Sequence, residues 1–116
     1  MKTALYRLSE NSWEKDPKGQ TVNDENVNLV LCFASKLKLS DQHIYDSFKA
    51  KFPSADIAMT STAGEIYQEK VLDDSVIVVA VQFEKTMIES ISVNIKDYKN
   101  TYEAAMSLGK KLPKSF

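Results

Sequence analysis

Apolar and polar positions fall into blocks along this chain, and each block implies an element. Residues 28–34, Asn-Leu-Val-Leu-Cys-Phe-Ala, are an almost unbroken apolar run, as suits a central strand covered on both faces. From Ser40 to about Lys51 the period changes. Ile44, Phe48 and Phe52 recur every fourth residue with Tyr45 beside them, the single stripe of a helix that packs on one side. Ser40 is positioned to cap that helix. Pro53 ends it, because proline disfavours helical geometry in the residue before it. Residues 55–60 then read as a second strand. Strand, helix and strand in this order make a βαβ unit with two parallel strands and a right-handed crossover.

Residues 75–84, centred on Val76-Ile77-Val78-Val79-Ala80-Val81, predict a strongly apolar strand. Glu84-Lys85-Thr86 offers a short connection into residues 87–95, where Ile91, Val93 and Ile95 alternate with Ser90, Ser92 and Asn94. That alternation predicts an antiparallel hairpin whose second arm has one wet face. Asn100 and Glu103 stand at capping-box spacing. Tyr102, Ala105, Met106, Gly109 and Leu112 follow at helical intervals, with Pro113 as the stop. Near the N-terminus, residues 2–8 suit a short strand, and residues 9–26 are polar, with a break at Asp16-Pro17-Lys18-Gly19. Trp13 reads there as a local packing anchor. The fold class is therefore α/β in the mixed, α+β sense: one βαβ unit plus an antiparallel hairpin in a mixed sheet with two main helices.

Composition narrows the function more than the fold. The 116 residues suffice for one domain, and 43% hydrophobic against 27% charged residues is the balance of a globular chain. Fifteen basic and sixteen acidic residues leave a net charge of −1. Neither nucleic acid nor an anionic membrane is an expected partner, since both are held mainly by concentrated positive charge. The densest basic group, Lys110, Lys111 and Lys114, lies near the C-terminal end. Cys32 is the only cysteine; it excludes an internal disulfide and sits where a thiol behaves as a small hydrophobe. The first residues lack the apolar stretch of a signal peptide, and no segment is long enough to span a bilayer. A cytoplasmic location is expected.

The stretch richest in chemistry is Ser61-Thr62-Ala63-Gly64-Glu65-Ile66. It follows the second strand of the βαβ unit, at the carboxyl end where open α/β sheets bind ligands. The hydroxyls of Ser61 and Thr62 and nearby N–H groups suit a carboxylate. Ala63 and Gly64 leave room for close approach, and Glu65 suits an ammonium. Together they describe a site for an amino acid or similar small polar ligand. The same residues also make an ordinary turn in which Ser61 and Thr62 bond to their own backbone, the commoner use of such a sequence.

Other chemistry finds less support. A nucleophile elbow on Ser61 would need glycines where Met59 and Ala63 stand. The loop has no lysine for a phosphate-binding P-loop. No base, nucleophile and orienting group assemble, so an enzyme is not expected. His43, the sole histidine, is a conceivable axial haem ligand, though without a Cys/His cluster a solvated residue is the plainer reading. Asp73 and Asp74 lead into a strand and read as a turn rather than a cation site. Met59, Met87 and Met106 read as core filling. No metal and no cofactor is assigned.

Several of these segments resemble the N-terminal part of the FIST family of intracellular sensory domains. The resemblance starts at Asn28-Leu29-Val30-Leu31-Cys32-Phe33-Ala34-Ser35 and continues through Phe52-Pro53-Ser54-Ala55. It is most specific at Ser61-Thr62-Ala63-Gly64-Glu65-Ile66, and includes Asp74-Ser75-Val76 with the apolar strand ending at Phe83. It covers roughly residues 27–112; the first 26 residues differ from the family's longer helical lead-in. The resemblance implies a sensor of small ligands, with amino acids the proposed class, coupled to signalling outputs; some relatives bind haem. It also implies that residues 1–116 are one domain, the N-terminal portion of a larger sensory domain whose C-terminal half or output domain is a partner.

The leading expectation is thus a sensory, signal-transducing domain that binds a small ligand at Ser61, Thr62, Ala63, Gly64 and Glu65. The first alternative is a protein-interaction or self-association module without ligand, pairing through residues 87–95 with a second copy in a homo-oligomer or with the C-terminal half. The second is a haem-binding sensor using His43.

Overall fold

The structure, a computed structural model, describes residues 1–114. Strand β1 (Lys2–Ser9) turns through Glu10 and Asn11 into β2 (Ser12–Lys15). β3 (Leu29–Ala34) leads through a short helix α1 (Lys36–Leu39) and a longer α2 (Gln42–Lys51) to β4 (Asp56–Ser61). A small hairpin, β5 (Glu65–Tyr67) and β6 (Lys70–Leu72), precedes β7 (Val76–Gln82), and α3 (Thr101–Lys111) comes last. The main sheet runs β2-β1-β7-β3-β4, and β5 with β6 forms a separate two-stranded sheet.

β3 and β4 are parallel, in register from Leu29 opposite Asp56 to Ala34 opposite Ser61. The βαβ unit is present. β7 lies antiparallel between β1 and β3 with both its edges paired, and its apolar run is buried or partly buried along its whole length.

Two expectations are corrected. Residues 87–94 carry no strand, despite their alternation. β7 already has a neighbour on each edge, so no position beside it remains for a following arm. The antiparallel hairpin of the main sheet is instead β1–β2. The second correction concerns the helix cap. Ser40 has helical backbone angles and closes α1, its Oγ donating to the Lys36 carbonyl at 2.9 Å. Asp41 is extended, and its carboxylate accepts from His43 N at 3.0 Å. An N-cap needs that extended geometry, and Asp also suits the positive end of the helix dipole.

The core lies on one face of the sheet. Strand alternation points Ala4, Tyr6 and Leu8, Val30 and Cys32, and Val78 and Ala80 to the side where α2 packs. Ile44, Phe48 and Phe52 of the helical stripe are buried there, while Tyr45 is exposed. Trp13 is the expected anchor: its ring meets Tyr6 and Phe52 edge-on and Phe48 at a tilt, with centroids 5.7–5.8 Å apart. Lys51 Nζ sits over the Tyr6, Trp13 and Phe52 rings and bonds Asp24 Oδ2 at 2.8 Å.

The opposite face carries Leu5 and Arg7, Phe33, and Ile77 and Val79, and no main helix lies on it. Of the methionines read as core, only Met59 packs on the core; Met87 is 91% exposed and Met106 about half exposed. α3 begins as expected, with the Asn100 side chain accepting from Glu103 N at 2.9 Å. Ala104 is its only buried residue, while Tyr102, Met106 and Leu112 face solvent.

Candidate functional site

The bend after β4 is built from its own polar groups. Thr62 N donates to the Ala34 carbonyl at 2.9 Å, holding the chain beside β3 as it leaves the sheet. Thr62 Oγ1 donates to Glu65 Oε1 at 2.7 Å. Glu65 Oε2 accepts from Ser75 Oγ at 2.9 Å and from Ser75 N at 3.3 Å. Glu65 is only 2% exposed. Burial pushes its pKa up, but the bonds from Thr62 and Ser75 together outweigh burial and the nearby Asp74 charge, and hold it below the usual glutamate value. The carboxylate therefore ties the bend to the start of β7.

This stapled bend forms one wall of a pocket of about 280 Å³. Leu5, Phe33, Ile77 and Val79 supply an apolar floor from three adjacent strands. Thr62, Gly64, Glu65 and Ile66 supply the rim. The volume lies at the small end of ligand pockets, which begin near about 300 Å³. The N–H groups of Ala63 and Gly64 take no hydrogen-bond partner among the described residues. Gly64 has no positive φ, and a Cβ there would meet Val71 Cγ1 at 3.5 Å, an ordinary contact. The turn does not need glycine, and a side chain there would face Val71, Leu72 and Asp73.

Of the five expected site residues, the structure gathers Thr62, Gly64 and Glu65 around this pocket. Ser61 ends β4 and is exposed, Ala63 is exposed, and neither lines the pocket. Glu65 has three donors on its carboxylate already, so its part is to shape the bend. The floor residues were absent from the sequence reading. Their signal was present nonetheless: Phe33, Ile77 and Val79 occupy alternate positions of runs apolar on both sides, and one helix covers only one of those sides.

The remaining candidates resolve individually. Asp74 has φ 53° and lies in the turn before β7; its carboxylate accepts from Ser35 Oγ at 3.1 Å and approaches Lys38 Nζ at 3.9 Å. His43 is exposed beside a polar cleft bordered by Glu10, Asp41 and Asp46, unlike the apolar slot that a haem face needs. Among the described residues no group of three or more His, Cys, Asp or Glu side chains is arranged to hold a metal. Cys32 is buried in the core, and burial, followed by the Glu65 charge, pushes its thiol up to about 12. Among the described residues no helix is long and apolar enough to cross a membrane.

Comparison with known proteins gives one positive result. The family model of the FIST N domain matches residues 28–116. The match takes in β3, the bend, the β5–β6 hairpin, β7 and α3, and leaves β1 and β2 outside it. Among curated proteins and among solved structures, none matches the chain.

Proposed function

This chain belongs to the FIST N domain family, a family of sensory and signal-transduction domains, and we propose that it detects a small amino acid with an apolar side chain. The observation that carries the reading is the pocket between the bend and the sheet. Its floor is apolar, its rim has the Thr62 hydroxyl and the unpartnered Gly64 N–H, and its size suits a small ligand. The side chain lies on Leu5, Phe33, Ile77 and Val79, and the polar end meets the rim.

Sensing follows from where the rim is fixed. Thr62, Glu65 and Ser75 link the bend to both β4 and β7, so a ligand that favours one arrangement of the bend biases the strands on either side. A partner domain reads that bias.

Thermal unfolding of the full chain with a panel of amino acids tests the reading. A ligand at 100 times its Kd adds about 2.7 kcal/mol to stability, a rise of several degrees in Tm. Leucine, isoleucine or phenylalanine is expected to give that rise, and aspartate and lysine are not. No rise with any apolar member at millimolar concentration overturns the reading.

A second reading, self-association without ligand, draws on α3. Its Tyr102 and Met106 side chains, four residues apart, are exposed on one helix face, an apolar patch that a second copy would cover. Sedimentation equilibrium tests it: a concentration-dependent dimer lost in Met106→Glu supports it, and a monomer at all concentrations rejects it.

A further inference from the structure

We infer that Arg7, together with Tyr67, is the anion anchor of this pocket and selects ligands bearing a carboxylate. The inference rests on the pocket reading and adds the residues that hold the ligand's carboxylate. Arg7 is the only arginine in the chain. It lies in β1 two residues after Leu5, on the same sheet face, and about 7 Å along the strand. Its register partner in β7 is Ile77, as Val79 is that of Leu5. Leu5, Ile77 and Val79 line the pocket floor, whereas Arg7 stands one position beyond it and Tyr67 is also outside the lining, so the proposed anchor flanks the pocket.

Arg7 is also chemically unfinished. Its Nε is buried with no hydrogen-bond partner, and the guanidinium makes no ion pair among the described residues. Tyr67, on the hairpin whose first strand supplies the pocket rim, is 5% exposed, and its O–H meets no acceptor in hydrogen-bonding geometry, the Gln68 side chain being its polar neighbour. The groups share one electrostatic neighbourhood. Burial, then the carboxylates of Glu14 and Asp16, raise the Tyr67 phenol above its ordinary pKa, while the Gln68 side chain and the Arg7 charge pull the other way. Two buried donors left unpaired are costly. A carboxylate accepting from both would complete them, and the planar guanidinium is the side chain best matched to it.

Neighbouring acids do not fill this role. Glu14 is the register partner of Arg7 on β2, yet it is exposed and forms no ion pair with it. Asp16 is buried and accepts from Lys18 N at 2.9 Å. Glu14, on the same sheet face as Arg7, opposes an incoming anion by its charge. β1 precedes the segment matched by the family model, so Arg7 comes from the N-terminal hairpin and Tyr67 from the matched segment.

A sole arginine gives one Nε–H resonance in a ¹⁵N spectrum, which makes the test direct. The full chain is titrated with 4-methylpentanoate and with 4-methylpentan-1-ol, which share an apolar body. The acid is expected to shift the Leu5 and Val79 methyl signals and the Arg7 Nε–H signal with one saturation curve. The alcohol is expected to move only the methyl signals and to bind about tenfold or more weakly. Arg7→Met reduces the acid to the alcohol's affinity, and Glu14→Gln tightens the acid. Equal binding of acid and alcohol with an unmoved Arg7 signal overturns the anchor and leaves the pocket standing. No methyl shift with either compound overturns both. Should Arg7→Met fail to fold, the comparison of acid with alcohol on the unaltered chain decides.

Discussion

Glu65 and Ser75 stand ten residues apart in sequence and meet twice, Ser75 donating from both its backbone nitrogen and its hydroxyl to one carboxylate oxygen. This contact closes the β5–β6 hairpin onto the start of β7 and sets the shape of the pocket mouth. Glu65→Ala would leave the Ser75 N–H and Oγ buried without an acceptor. A loss of about 2–4 kcal/mol in urea unfolding is expected, and Glu65→Gln should lose less.

The same contact makes stability depend on acid. The folded-state pKa of Glu65 is depressed, so its contribution is fully present above the unfolded glutamate value of about 4.3 and disappears as pH falls through the lower folded value. Unfolding free energy measured between about pH 6 and pH 3 should fall more steeply for the unaltered chain than for Glu65→Gln. Parallel curves would show that the charge of Glu65 contributes nothing.

Gly64 separates ligand binding from folding. A Cβ at this position meets only ordinary contacts and the backbone is not left-handed. Gly64→Ala should therefore keep or raise stability, by up to about 1 kcal/mol through a less flexible unfolded chain. The methyl group would face Val71, Leu72 and Asp73, none of which line the pocket, so ligand binding should be little changed. Calorimetric titration alongside urea unfolding reads both effects.

The helix caps give a sharp local comparison. Asp41→Ala should cost about 1 kcal/mol by removing the acceptor for His43 N. Ser40→Ala removes only an exposed hydroxyl contact at the end of α1 and should change stability by less than about 0.5 kcal/mol. The reverse order would restore Ser40 as the cap of the long helix.

Cys32 should be inert in the folded chain, since its thiol is buried and pushed up to about 12. Reaction with a disulfide reagent at pH 8 is expected to be slow in buffer and immediate in denaturant. Rapid reaction in buffer would mean that the sheet opens beneath α2.

The parts of the fold readable from sequence are those fixed by local patterning. The parallel pair β3–β4 follows from the run at residues 28–34, the Ile44–Phe48–Phe52 stripe and the stop at Pro53. The capping of α3 follows from Asn100 and Glu103. Pairing between distant strands leaves no such local trace. Ile91, Val93 and Ile95 alternate as a strand would, but β1 had already taken the edge of β7 beside which they would lie. The site was legible by half for the same reason. Thr62, Gly64 and Glu65 announce a bend in one stretch of chain, whereas Leu5, Phe33, Ile77 and Val79 become a floor only once three strands align. That Glu65 turns inward to Ser75 depends on the β5–β6 hairpin, whose short strands have little hydrophobic pattern.

The most direct measurement is an isotope-filtered NOE spectrum of the full chain with L-leucine. Contacts from the leucine methyl groups to Leu5, Ile77 and Val79 are expected. Contacts confined to Ile44 and Ala50, in the polar cleft beside His43, or no contacts at saturating leucine, would contradict a ligand site between the Thr62–Glu65 bend and the sheet.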